Sequence, residues 1–125
     1  MLLAVATLWV STAALAQDTA LTRAYSSAEC PSCTGWNEAT GPVHLFGNTY
    51  YVGTRGLASV LVASPNGHVL IDGGLPSSAP LILQNIQALG FRVTDVQIIV
   101  NSHEHDDHAG GIAALQLATS ALATG

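Results

Sequence analysis

Residues 101–111 read "NSHEHDDHAGG", and His103 to His108 within them are three histidines, two aspartates and a glutamate in six positions. No other stretch restricts the chain as much, because such a knot of donor side chains must be either solvated or neutralised. Charged residues are only 9% of the chain, yet three of its eight acids lie here. Like charges gathered beside imidazoles repel one another unless a cation sits among them. A solvated acidic loop is the plain alternative. The surroundings weigh against it.

Before the knot, "DVQIIVNS" (95–102) reads as a strand; after it, "AGGIAALQLAT" reads as a helix with Ile112 and Leu115 on one side. Upstream, "VHLFGNTYYVG" (43–53) is a hairpin turning at Gly47-Asn48. "ASVLVASPNGHVLIDGG" (58–74) is a second, turning at Pro65-Asn66-Gly67. Its apolar runs are continuous, which predicts strands covered on both faces. "LPSSAPLILQNIQALGF" switches to helical spacing: Ile82, Ile86 and Leu89 fall at i, i+4 and i+7, with Gln84, Asn85 and Gln87 on other faces. Ser77 or Ser78 suits its cap, Pro80 its first turn and Gly90 its stop. Strand, helix and strand in this order cross over right-handed and leave the parallel strands' carboxyl ends along one edge. Asp72-Gly73-Gly74 and the chain from His103 onward both emerge there, where open α/β sheets hold ligands. The fold class is α/β, antiparallel at its start and crossing over at its finish.

On a chain leaving such a strand, His103 and His105 project to the same side and can converge on one point. Tightening into a helix then swings Asp107 and His108 toward a neighbouring point. Imidazole nitrogens with one carboxylate are donors that zinc accepts. Two adjacent points imply a two-metal site, with centres about 3.5–4 Å apart. Gly110 and Gly111 let the following backbone pass close to the metals without a side-chain clash. His44, within a hairpin strand, and His68, after a turn, read instead as surface or locally hydrogen-bonded residues.

Net charge is −5, and Arg23, Arg55 and Arg92 are the only arginines, with no lysine. That excludes a basic stripe for nucleic acid and gives no support for an anionic membrane surface. Residues 1–16, "MLLAVATLWVSTAALA", are uncharged and end in the small-x-small triplet Ala14-Leu15-Ala16. They are too short to span a bilayer, which takes about 20 apolar residues. They read as a secretory signal, predicting a new terminus at Gln17, a periplasmic location and no membrane anchor after cleavage. Residues 17–42 follow as an extended lead-in. Cys30 and Cys33 lie in it as a single Cys-x-x-Cys. Structural zinc wants four ligands, and a thioredoxin-like role would place the motif between a strand and a helix. In an oxidising compartment, a local disulfide is the better reading.

"SHEHDDHAGG" with "GHVLIDGG" before it is similar to the metallo-β-lactamase superfamily, whose fold is an αββα sandwich. "CPSCTGWN", "GNTYYVGTRGLAS", "LPSSAPLILQNIQALGF" and "DVQIIVNSH" narrow the likeness to the third subclass of class B β-lactamases. The second zinc site of that subclass uses Asp and His rather than Cys. The likeness runs from about Cys30 to Thr119. It implies two zinc ions, with His103 and His105 as ligands of the first and Asp107 and His108 of the second. It implies too that Asp72 lies beneath the site and orients the ligand loop. Glu104 and Asp106 depart from the family pattern, where small or apolar residues are commoner. The implied activity is hydrolysis of a small-molecule β-lactam amide by a zinc-bound hydroxide that Asp107 orients, giving antibiotic resistance. No S-x-x-K sequence is present for a serine route. Another hydrolase of the superfamily, a thioesterase or lactonase, is one competing reading, and a non-catalytic metal-binding fragment is the other. The resemblance further implies one more histidine per metal, from the second half of the sandwich, and no His, Cys, Asp or Glu follows His108. Residues 43–125 are therefore expected to be the N-terminal half of the sandwich, inactive alone and with a sheet face uncovered.

Overall fold

The computed structural model describes residues 20–125; the expected signal segment, residues 1–16, and Gln17 lie outside the described residues. Among those described, no helix is long and apolar enough to cross a membrane.

The lead-in is less extended than its composition predicts. A single helical turn, α1 (Cys33–Trp36), closes where Trp36 N–H donates to Ser32 O at 3.0 Å and Asn37 N–H to Cys33 O at 2.9 Å. Cys30 and Cys33 are joined as a disulfide, and Cys33 is buried against Leu57 and Leu75. A polar, period-free stretch carries no signal for such a turn; a covalent tie and a small apolar cluster hold it.

Among the described residues six strands form one sheet whose spatial order follows the chain: β1 (Val43–Phe46), β2 (Thr49–Tyr51), β3 (Val60–Val62), β4 (His68–Ile71), β5 (Val96–Val100) and β6 (Leu122–Thr124). The hairpins turn where expected, and β1 to β4 pair antiparallel. β5 lies parallel to β4, with Ile71 opposite Val100. β6, parallel to β5, has no counterpart in the sequence reading. Three residues are too few for an alternation signal; Ser120, at φ 62°, turns the chain out of the preceding helix and back beside β5.

A 3-10 turn (Pro76–Ser78) leads into α2 (Ala79–Ala88), and Gly90, at φ 87°, ends that helix region. Two details differ from expectation. Ser78 makes no side-chain cap on α2; its hydroxyl accepts from Leu75 N–H at 3.0 Å and donates to Asn37 Oδ1 at 2.6 Å. Asn85 faces inward, where it donates to the carbonyls of Val52 and Gly53, each at 3.0 Å. The two carbonyls just past β2 that it serves explain why an amide lies among apolar neighbours.

The core forms between one sheet face and α2 with α4 (Ile112–Thr119). Leu61, Leu70 and Ile99 of the sheet and Ile82, Ile86 and Leu115 of the helices are all 0% exposed. Each such side chain contributes roughly 1.5–3 kcal/mol on burial. Continuous apolar runs predict cover on both faces, but the structure covers one. Across the other run two rows of register partners, Val60–Ile71–Val100 and Val62–Val69–Ile98–Leu122. They are half-buried along β3 and β4, and Leu122 is 77% exposed. This is the open face expected of half a sandwich.

Candidate metal centre

β4 and β5 end side by side, so the segments that leave them start as neighbours. Asp72 N–H continues the ladder by donating to Val100 O at 2.9 Å. At φ 63° Asp72 then turns out of the strand, a left-handed conformation that Asp tolerates better than most residues. The turn aims its buried carboxylate across at the loop after β5. There Ser102 donates twice, from N–H to Oδ1 at 2.7 Å and from its hydroxyl to Oδ2 at 2.6 Å. His108 Nδ1 lies 3.0 Å from Oδ2 as well. Burial works against charge on Asp72, but these hydrogen bonds outweigh it and hold the carboxyl below the usual carboxylate range.

That contact fixes a proton. A carboxylate can only accept, so Nδ1 of His108 is the donor in this contact, and in the neutral tautomer that it selects Nε2 keeps the lone pair. Asp107 Oδ2 lies 3.6 Å from that Nε2. Both residues belong to a short helix, α3 (Asp106–Ala109), which opens where His108 and Ala109 N–H donate to His105 O, each at 2.9 Å. His103 and His105 sit just before it, ring centroids 4.2 Å apart and edge to face; His103 and His108 are 5.3 Å apart. Among the described residues no three His, Cys, Asp or Glu side chains close on one point. The donors stand in neighbouring pairs.

The glycines serve a backbone contact that the sequence did not announce. Gly111 N–H donates to Gly74 O at 2.9 Å and Gly73 N–H to His108 O at 2.7 Å, zipping the two loops together. A β-carbon on Gly111 would stand 2.2 Å from Gly73 O, and one on Gly110 2.5 Å from Asp106 O. Close approach of two backbones demands glycine here.

His44 and His68 lie apart from the loop. His44 Nε2 is 2.8 Å from Gly47 O, and His68 Nδ1 accepts from Ser64 N–H at 3.0 Å while its ring packs on Phe91. Glu104 is exposed. Asp106 is engaged: the Tyr25 hydroxyl donates to its Oδ2. That bond, together with partial burial and the charge of Asp106, pushes the phenol's pKa up and keeps it a donor. Between the lead-in and the loop lies a cleft of about 380 Å³ whose walls include Tyr25, Cys33 and Trp36 on one side and His105, Asp106 and Asp107 on the other. Sequence reasoning passes over Tyr25, Trp36 and Ser102. Only Ser102, adjacent to His103, carried a positional hint.

The profile of the Metallo-beta-lactamase superfamily matches residues 52–123, a stretch that contains Asp72 and His103 to His108. The chain belongs to the metallo-β-lactamase superfamily. Among solved structures it is similar to the Rm3 metallo-β-lactamase, at 64% identity over 75% of this chain and 35% of that one, with a TM-score of 0.73. MEM-A1, a subclass B3 metallo-β-lactamase from a soil metagenome library, is 59% identical over 70% of this chain and 33% of that one, TM-score 0.69. MIM-1 from Novosphingobium pentaromativorans is 57% identical over 70% of this chain and 32% of that one, TM-score 0.69. The superfamily likeness is thus to subclass B3, and the chain spans about a third of the length of these proteins. Its sheet and helical layer are the N-terminal half of the αββα sandwich.

Proposed function

We propose that this chain provides the metal-ligand loop of a zinc β-lactamase that is exported to the periplasm and confers resistance by hydrolysing the lactam amide. The observation that carries this reading is the likeness to B3 metallo-β-lactamases at 57–64% identity. In support, His103 and His105 supply donors for a first zinc, and Asp107 and His108 for a second. Neutral imidazoles and one carboxylate suit that metal's preference. When bound, zinc supplies Lewis acidity toward the carbonyl and lowers the pKa of water to about 7. Asp72 keeps the His108 proton on Nδ1, leaving Nε2 as the donor. Asp107 offers a carboxylate oxygen that can accept a hydrogen bond from the attacking water and orient it. Zinc completes a shell of four, so each pair needs further donors. This reading takes them from whatever packs on the open sheet face.

The test is turnover of nitrocefin, a thioester and an acyl lactone by the chain supplied with a relative's C-terminal half, before and after chelation. Lactam turnover should vanish on chelation, return with zinc and ignore serine-directed inhibitors. Activity that survives thorough chelation would overturn the reading. A preference for thioester or lactone would move the protein to another hydrolase of the superfamily. Zinc bound without turnover of any of the three would favour a metal-binding role alone.

A further inference from the structure

Asp106 stands where small or apolar residues are commoner, beside a proposed ligand and with no role in the proposed chemistry. Its carboxylate is not idle, because Tyr25, 81 positions earlier, donates to it. The two ends of the lead-in are held differently. Near α1 the anchors are many: Thr54 Oγ1 and Gly56 N–H both donate to Trp36 O, at 2.7 and 3.0 Å, and Asn37 Nδ2 donates to Ser77 Oγ at 3.0 Å. Around Ser26 to Cys30 the chain folds on itself, with Glu29 and Cys30 N–H donating to Ser26 O, and Tyr25 and Cys30 pack against Cys33, Leu57 and Leu75. Tyr25 joins that end to the ligand loop. We propose that Asp106 is a positioning residue: held by the Tyr25 hydroxyl, its carboxylate fixes the disulfide-closed lead-in over the Asp107 side of the cleft.

In this arrangement Asp106 is kept out of the ligand set, so two adjacent aspartates divide the work. Asp107 faces His108, while Asp106 faces the opposite wall. A substrate entering the cleft then meets a wall already in place rather than one that must be ordered on binding, and ordering a segment costs affinity. This consequence for substrate rests on the function proposed above; the placement of the lead-in does not.

The test uses the full chain with Tyr25→Phe, Asp106→Ala and Asp106→Asn. Exchange of the Glu29 and Cys30 amides, followed by mass spectrometry, should quicken about tenfold in the first two variants, the size of one lost hydrogen bond. Asp106→Asn keeps an acceptor and should stay within about twofold of the unaltered chain. Leu70 and Ile99 amides should not change. Zinc bound per chain, titrated with zinc alone, should be the same in all. Where lactam turnover is present, Tyr25→Phe should raise KM about three- to tenfold with kcat within about twofold. Unchanged exchange in Tyr25→Phe, failure of Asp106→Asn to restore it, or loss of a zinc on Asp106→Ala would each overturn the proposal. Absence of lactam turnover once the chain is supplied with a relative's C-terminal half would strike the proposed function and leave the exchange and zinc measurements to decide this one.

Discussion

Asp107 and Glu104 carry the same charge three positions apart, and placement separates them. Asp107 is half-buried with an oxygen 3.6 Å from His108 Nε2, whereas Glu104 is exposed. Asp107→Ala should therefore lower lactam turnover about a hundredfold or more, and Glu104→Ala by no more than about threefold. Steady-state kinetics on zinc-loaded protein would show it, and equal losses would break the assignment. Asp72 makes a second case. Asp72→Ala strips an acceptor from Ser102 and His108 and puts at φ 63° a residue that tolerates the left-handed region less well than Asp. Thermal unfolding should record a loss of about 2–4 kcal/mol. A loss below about 0.5 kcal/mol would mean that the carboxylate does not organise the loop.

Between elements, backbone hydrogen bonds zip the two glycine loops beside the tie that the Asp72 side chain makes to Ser102 and His108. Gly111→Ala should cost about 1–3 kcal/mol, because its methyl would need space that Gly73 O occupies. Denaturant unfolding would measure it; a neutral result would show that the loops separate easily. Much of this level was legible beforehand. Gly47-Asn48 and Pro65-Asn66-Gly67 named their turns, Ile82 and Ile86 named the buried side of α2, and the strand–helix–strand pattern put Asp72 and His103 on one edge. What escaped notice depended on distant partners. Asn85 turns inward to meet carbonyls more than thirty positions away. Tyr25 finds Asp106 across an even longer gap. β6 exists because β5 offers an edge, not because "LAT" prefers to be extended. The cluster from His103 to His108 announced itself by composition and the resemblance put Asp72 beneath it, but the hydrogen bonds from Ser102 join residues thirty positions apart and leave no local pattern.

At the scale of the molecule, the open sheet face governs solution behaviour. Val60, Ile71 and Val100 in one row and Val62, Val69, Ile98 and Leu122 in the other make a continuous apolar surface, which soluble monomers rarely display. The 125-residue chain alone should bind an apolar-surface dye strongly and sediment as a dimer or larger species; a dye-silent monomer would show that the face is covered. The order of the sheet has a separate consequence for how the molecule is made. Every strand lies beside the one synthesised before it, so a chain emerging from the ribosome always finds its next partner already formed. Assembly can proceed as a growing front rather than a search among distant pieces, which keeps the entropy of loop closure low at each step. His103 to His108 are carried on the connection between β5 and β6, so they reach their places only after β1 to β5 have been laid down.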